Sequence, residues 1–395
     1  MSSFPALLRP LLLLLLTYQQ NPLAQAAAPT VASAEVVGTV ADAAIDRDSC
    51  TSTKVGAREL WTCRDSQSYP GAVTGFFWSS SASWTDFPVV PDDGDGNLTC
   101  YGDNNAAGAG AYAYFPLPAT ACAAGSGACE DGSRWVIWPD APPLGVETGS
   151  HGSGGLALYT WIRNVHLDKS SSTGGMGAQL NPDPPASLYR ADYTPDLENN
   201  QTTLPPVTLV SDAFWAAGTP AYGNYGGVVR NGTAYLYATL ADADGKVKGG
   251  VALAKVDVGS VEDRGAYRYW DPATSSWGTQ APAVTDVGMA VKNAGTGQQG
   301  TFYYSERFGK YVWIGSASGF PNTDFYITMA DQPEGPWEQP EKFYTGPAGT
   351  TFAGYSQQAH PGLSSDRGNG DDIYLTYTRQ DEFYSTPLVH VVWAS

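Results

Sequence analysis

The chain has 395 residues, 39 of them acidic against 21 basic, for a formal net charge of −18. No Lys/Arg cluster stands out, and nucleic-acid binding needs a basic footprint, so that class of partner is excluded. The acidity reads as solubility outside the cell, and the many aromatics (Trp 12, Tyr 23, Phe 13) suit either a large β protein or one that stacks sugar rings.

In chain order, Met1 to Arg9 is a short start with one positive charge. Leu11 to Leu16 is an unbroken leucine run, and the small-residue pattern Ala24-Gln25-Ala26 follows. This predicts a secretory signal peptide over residues 1–26. Its apolar core is too short for a stable membrane anchor, and no later stretch is longer. A soluble, extracellular protein beginning near Ala27 is expected, monomeric and free of the membrane once the leader is removed. Three sequons, at Asn97, Asn200 and Asn231, are predicted glycan acceptors. The five cysteines, at 50, 63, 100, 122 and 129, lie in the first third, and in an oxidising compartment most should pair. Cys122 and Cys129 flank a glycine-rich loop and can close it. Cys50 and Cys63 can staple neighbouring strands, which leaves Cys100 over. The spacing leaves the connectivity open.

After the leader there is no 3.6-residue apolar stripe. Short alternating, β-branched or aromatic runs are broken by Gly, Pro, Asn and Asp, an all-β pattern. "ELWTCRDSQ" (59–67) and "GFFWSSSASW" (75–84) belong to a first unit. "RWVIWPD" (134–140), "GLALYTWIR" (155–163) and "ASLYRADY" (186–193) form a second. "GGVVRNGTAYLYATL" (226–240) opens a third as a hairpin around Asn231-Gly232, followed by "GVALAKVDV" (250–258). "GTFYYSERFGKYVWIGS" (300–316) with "FYITMAD" (325–331) makes the fourth, and "HPGLSSDRGNGDDIYLTYTR" (360–379) with "LVHVVWA" (388–394) the fifth. Tryptophan segments at 266–277 and 333–344 close the third and fourth. About five units of four antiparallel strands predict a single five-bladed β-propeller over residues 27–395. A strand near Val36 to Val40 is expected to complete the last blade and remove an exposed edge. The competing architecture, two β-sandwiches, needs a mid-chain linker. The Pro-rich stretch 181–206 is its best candidate, but it fits a long inter-strand loop equally.

Polar groups from several blades converge where inner strands begin. In the first unit, "AAIDRDSC" (43–50) carries Asp46 and Asp48, and Asp65 follows 17 residues after Asp48. A strand, a turn and a second strand would bring the last two together. A carboxylate pair is what glycoside hydrolysis needs: one acid protonates the leaving oxygen, the other acts as nucleophile or activates water. Burial or a neighbouring carboxylate would raise the acid partner, and Arg47 or Arg64 would hold the other down. Asp beside Ser or Arg is also ordinary turn chemistry, so both readings stand at this point. Gln298-Gln299, and Gln357, Gln358 and His360, hold equivalent places at the inner strands of two blades and are placed as a shared funnel wall; Asn224-Tyr225 opens the third unit, where glycines let a ligand approach the backbone or form an ordinary entry turn, and Tyr225 is expected to line the funnel with Gln299 and His360. Trp61 is expected in the core and Glu306 in an exposed hairpin turn. No H-E-x-x-H pair is present. "PDDGDGNLT" (91–99) lacks the twelfth-position glutamate of an EF-hand loop, so an acidic surface turn is expected there. No G-x-S-x-G elbow and no dinucleotide or phosphate-loop fingerprint appears. No metal and no cofactor are expected.

"RDSC" (47–50) followed by "GARELWTCRDSQ" (56–67) resembles the first-blade motif of the propeller family called domain of unknown function 4185, in which an Arg-Asp pair precedes G-x-x-L-W-x-F-G-D-T. "YYSERFGKYVWI" (303–314), "ADQPEGPWEQPEKFY" (330–344) and "QQAHP" (357–361) are similar to later parts of that family; the "P-x-G-P-W" blade ending also resembles other five-bladed glycosidases. The family includes bacterial endo-D-arabinanases, so the resemblance implies a glycoside hydrolase acting on a polysaccharide or oligosaccharide, with arabinan a candidate. By motif its catalytic aspartates fall on Asp48 and Asp65. Asp46 is then a supporting carboxylate, and Tyr225, Gln299 and His360 are substrate-binding. The chain has Arg64-Asp65-Ser66 where the family has Gly-Asp-Thr, and its cysteines are not part of the bacterial pattern. The alternative of a different class is a carbohydrate-binding, lectin-like propeller without catalysis. A third is a structural or host-interaction protein.

Overall fold

The computed structural model describes residues 28–68, 78–86, 97–102, 113–119, 121–122, 127–148, 155–169, 177–194, 203–241, 247–317, 319–364 and 370–395. The expected leader, Asn200 and most of the acidic turn at 91–96 lie outside them.

Nearly all the regular structure is strand, arranged as five small antiparallel sheets in a five-bladed propeller. The inner strands are Cys50–Val55, Leu144–Thr148, Gly227–Arg230, Gly300–Ser305 and Phe352–His360. Each packs against the next, and the last packs against the first. The third blade follows the expected hairpin: Gly227–Arg230 turns into Thr233–Ala241 through Asn231 (φ 51°) and Gly232 (φ 73°). Two successive left-handed residues match the twist of paired strands, which is why Asn-Gly stands there. In the second blade the long strand Gly155–Leu167 pairs with Leu144–Thr148 along one half and Arg134–Ile137 along the other. The first blade has three strands among the described residues, Cys50–Val55, Arg58–Cys63 and Ser81–Asp86.

The ring closes as expected. Val31–Ala41 runs antiparallel to Pro387–Trp393, with Val36 opposite Val389, and so becomes the fourth strand of the fifth blade, with the short strand Asn97–Thr99 parallel to its end. Pairing the two chain ends in one sheet removes two free edges.

Side chains alternate between neighbouring blades, because successive Cβ atoms of a strand point to opposite faces. The interface of blades two and three holds Trp161, Trp215, Tyr222 and Tyr267. That of three and four stacks Tyr237 on Phe302, centroids 3.8 Å apart, beside Trp313 and Trp337. The interface of blades four and five is aliphatic and aromatic, with Ile314, Phe325, Leu375 and Val389. The interface of blades five and one differs. Arg58–Cys63 is buried on both faces, and its alternation puts Leu60 toward blade two but Glu59 and Trp61 toward blade five. There Trp61 meets His360 and Glu59 meets Ser52, and His360 in turn reaches Thr376.

Candidate functional site

The first-blade motif forms a compact knot of backbone bonds. The short strands Ile45–Arg47 and Ser66–Ser68 pair with Asp46 opposite Gln67. Just beyond them the N–H of Asp48 donates to the Asp65 carbonyl (2.8 Å), and the N–H of Arg64 donates to the Asp48 carbonyl (2.9 Å). Ser49 then takes φ 49°, swinging the chain into the inner strand, where Cys50 lies opposite Cys63 and is disulfide-bonded to it. The second disulfide joins Cys122 to Cys129, and Cys100 is free and buried.

The two carboxylates have different surroundings. The Asp48 side chain is half-buried and accepts hydrogen bonds from Ser49 Oγ and from the Tyr355 hydroxyl (2.6 Å). Burial pushes its carboxyl up to about 6, against the opposing charge of Arg64 and the Ser49 and Tyr355 hydrogen bonds; the Asp65 charge adds a smaller upward push. The Asp65 carboxylate is forked by Arg134, Nη2 to Oδ1 at 2.6 Å and Nη1 to Oδ2 at 3.0 Å, and Oδ1 also accepts from Trp138 Nε1 at 2.9 Å. Such a two-bonded guanidinium fixes a carboxylate's orientation as well as its charge. The arginines inside the motif go elsewhere. Arg64 pairs with Asp140, faces Trp138 at 5.6 Å, and its pKa is lowered by burial. Arg47 pairs with Asp42 at 3.0 Å.

A polar chain leads from Asp48 across the axis. Ser49 Oγ lies 2.6 Å from Ser356 Oγ, and Ser356 Oγ donates to Gln299 Oε1. The residues leading into the inner strands of blades one and four are thereby tied to the inner strand of blade five at one level, next to Asp48. A second level lies deeper. Ser52 Oγ donates to Glu59 Oε1 (2.6 Å) and lies 2.7 Å from His360 Nδ1, while His360 Nε2 lies 2.7 Å from Thr376 Oγ1.

The expected site residues therefore separate. Asp48, Asp65 and Gln299 share the first level. Asp46 sits beside it, 6% exposed, accepting from Gln67 Nε2 at 2.7 Å, its pKa raised by burial. His360 is fully buried at the second level, and burial pushes its imidazole down to about 3. Tyr225 is buried against Phe302; its hydroxyl donates to the Gln298 carbonyl (2.7 Å) and accepts from the N–H of Gly297 (3.0 Å). It anchors a loop rather than facing Asp48. Asn224 donates to the Trp161 carbonyl (3.2 Å). Trp61 is in the core, with its Nε1 on Thr85 Oγ1 at 2.9 Å. Glu306 is exposed in its turn and paired with Arg230. Asn231 is exposed in its hairpin turn, whereas Asn97 is half-buried in a strand alongside Thr39. Among the described residues no three His, Cys, Asp or Glu side chains gather as metal ligands, and no helix is long and apolar enough to cross a membrane.

Sequence reasoning missed Tyr355, Arg134, Trp138 and Glu59. Tyr355 stands two positions before the "QQAHP" segment, whereas Arg134 and Trp138 lie in the "RWVIWPD" run and Glu59 opens "ELWTCRDSQ". Nothing in the sequence around Tyr355 or Arg134 marks the side chain that crosses to blade one.

The family model named Domain of unknown function (DUF5005) matches residues 196–377. It is a different family from domain of unknown function 4185. No curated protein matches the chain. Among solved structures, a "putative hydrolase" from Bacteroides ovatus is similar at 14% identity, with 90% of this chain and 87% of that chain covered and a TM-score of 0.55. An exo-β-1,3-galactanase from Phanerochaete chrysosporium with β-1,3-galactotriose matches at 12% identity, covering 90% of this chain and 63% of that one, TM-score 0.48. A family 117 glycoside hydrolase from Zobellia galactanivorans matches at 13% identity, covering 91% and 89%, TM-score 0.46. The likeness to the Bacteroides protein is one of fold; the two weaker ones carry no functional weight.

Proposed function

We propose that the chain is a secreted glycosidase-like propeller that cleaves glycosidic bonds of a polysaccharide, with Asp48 as the acid and Asp65 as the second carboxylate. One observation carries this reading: Asp48, with a half-buried carboxyl raised to about 6, is joined by a backbone hydrogen bond to Asp65, whose carboxylate is held by Arg134. A group that keeps its proton near pH 6 can give it to a leaving oxygen, and a neighbouring ion-paired carboxylate can stabilise the developing positive charge or orient water. Each carboxylate oxygen has two lone-pair directions, so Oδ2 of Asp65, bonded to Arg134 alone among the contacts described above, retains acceptor capacity. The first-blade resemblance supports the same two residues, and arabinan remains the candidate polymer. Fold alone does not determine the reaction. Residues 1–26 are proposed to be removed on export, leaving one propeller domain, and the two disulfides fit an oxidising compartment.

A second reading rests on the same fork. Because Arg134 and Trp138 occupy both oxygens of Asp65, the pair also suits a carbohydrate-binding propeller in which Asp65 is structural. Incubation with D-arabinan, L-arabinan and arabinogalactan separates the two. Sugar release that Asp48→Asn and Asp65→Asn each abolish identifies the hydrolase; retention on a polymer without release identifies the binding protein.

A further inference from the structure

The opposite end of the propeller axis holds a cavity of about 470 Å³ to which all five blades contribute. Asp48 and Gln299 precede the inner strands of their blades, and Ser356 lies midway along its own. In those three blades the cavity is lined by later residues, among them Thr53, Tyr304 and Gly362, while blades two and three contribute Pro142 to Gly145 and Gly226 to Arg230. The inner strands of blades one and five run in the same direction, since Ser49 meets Ser356 and, further along, Ser52 meets His360. The two sites are therefore at different ends.

Glu59 stands in the cavity wall and is fully buried. Ser52 Oγ satisfies its Oε1 at 2.6 Å, but its Oε2 has no hydrogen-bond partner. A Cβ on Gly362 would lie 2.3 Å from Oε2, so the chain keeps a glycine where the carboxyl tip meets the lining. A buried polar atom without a partner costs free energy, and native folds leave few of them. A cavity bordering such an atom is a place where a ligand hydroxyl or water would complete the bonding.

We propose that this cavity is a second ligand site, taking a small neutral polyhydroxylated molecule, a mono- or disaccharide, with Glu59 as its innermost hydrogen-bonding group. The volume falls within the range of ligand pockets. The lining alternates hydroxyls (Ser52, Thr53) with carbon surface (Pro142, Leu144, Val228), as a sugar's polar rim and apolar face require. The charges at the mouth argue for a neutral occupant. Arg230 and Glu306 pair at 2.9 Å, and Arg230 also covers the Tyr304 ring at 3.3 Å. An anion would meet Glu306, and a cation would meet Lys54 and Arg230. Burial favours the uncharged Glu59 carboxyl, which can donate to one hydroxyl oxygen and accept from another.

The test uses wild-type protein carrying ¹³C-carboxyl glutamate, followed by NMR while D-galactose, D-xylose, L-arabinose, D-arabinose or cellobiose is added at millimolar concentration. A saturable shift of the buried Glu59 signal is expected with at least one sugar, unchanged in Asp48→Asn. Binding measured by calorimetry should weaken about tenfold in Glu59→Met, the loss of one buried hydrogen bond. If Glu59→Met fails to fold, Arg230→Ala at the mouth serves, and it too should weaken binding. No shift with any sugar overturns the proposal, leaving water as the occupant. A shift with inorganic phosphate or ammonium but with no sugar overturns the neutral ligand class. Loss of the shift in Asp48→Asn overturns the separation of the two sites. Polymer cleavage without sugar binding here would sink this inference and leave the Asp48 reading intact.

Discussion

Asp48 donates its backbone N–H to the Asp65 carbonyl at 2.8 Å, yet the two side chains turn to different partners, Asp48 to Tyr355 and Asp65 to Arg134. Backbone pairing thus joins the two residues, while their surroundings divide their carboxyls into a group raised toward neutrality and a group held by a cation. Pairs of carboxyls separated in this way are what acid/base assignment in a hydrolase rests on.

The acid role has a pH signature. The protonated form of Asp48 is the working form, so turnover should fall as pH rises through about 6. Tyr355 donates to the carboxylate and so favours its charged form. Tyr355→Phe should raise the Asp48 pKa and move the descending limb upward by roughly one pH unit. A pH–rate profile of wild type and variant checks the direction.

Arg134 is the only cation bonded to Asp65 among the described contacts, and both side chains are largely shielded, 9% and 16% exposed. Arg134→Ala leaves a shielded carboxylate without its counter-charge and should cost about 3 kcal/mol of stability. Arg134→Lys restores charge but not the fork, and should recover stability more than activity. Urea unfolding and sugar release, measured together, separate the two effects.

The Glu59–Ser52–His360 chain opposes itself across the pH scale. Glu59 is raised by burial from 4.5 to about 8, so its contribution is full below pH 4.5 and is lost as pH rises toward 8. His360 is lowered by burial from 6.5 to about 3, so its contribution is full above pH 6.5 and is lost as pH falls toward 3. Between 4.5 and 6.5 the two slopes counteract each other. Glu59→Gln should therefore flatten the decline of stability on the alkaline side while leaving the acid-side loss in place, an effect on the order of a few kcal/mol. Thermal melts across pH 4 to 9 (roughly the window of these shifts) read it out.

Gly223 takes φ 91°, and a Cβ there would lie 2.3 Å from the buried Trp161 ring. Gly223→Ala combines a left-handed backbone with overpacking between blades two and three, and should cost 2 kcal/mol or more, roughly, by thermal unfolding. Gly232→Ala, with φ 73° but open space around it, should cost less.

Much of the architecture was legible because blades are written locally. Period-two runs, the Asn231-Gly232 turn and the tryptophan segments recur in chain order, and an N-terminal strand with no partner of its own invites closure with Pro387–Trp393. The pairing of Asp48 with Asp65 was legible for the same reason, since 17 residues span one hairpin. The partners were not. Arg134 lies 69 residues from Asp65 and Tyr355 lies 307 from Asp48; blade-to-blade meetings of this kind depend on how the ring closes, which no local pattern encodes. Tyr225 and His360 show the converse. Tyr225 stands just before an inner strand and His360 ends one, but packing sends the first into a blade interface and depth puts the second below the first level.

The most direct test of the central claim compares two substrates on one variant. Asp48→Asn is assayed for release of reducing ends from the polysaccharide that wild type cleaves, and for hydrolysis of the matching dinitrophenyl glycoside, whose leaving group needs no proton. If Asp48 is the acid, polymer cleavage falls roughly 100- to 10,000-fold while the aryl glycoside keeps most of its rate. If Asp48→Asn cleaves the polymer at close to the wild-type rate, Asp48 is not the acid and the proposed mechanism is wrong.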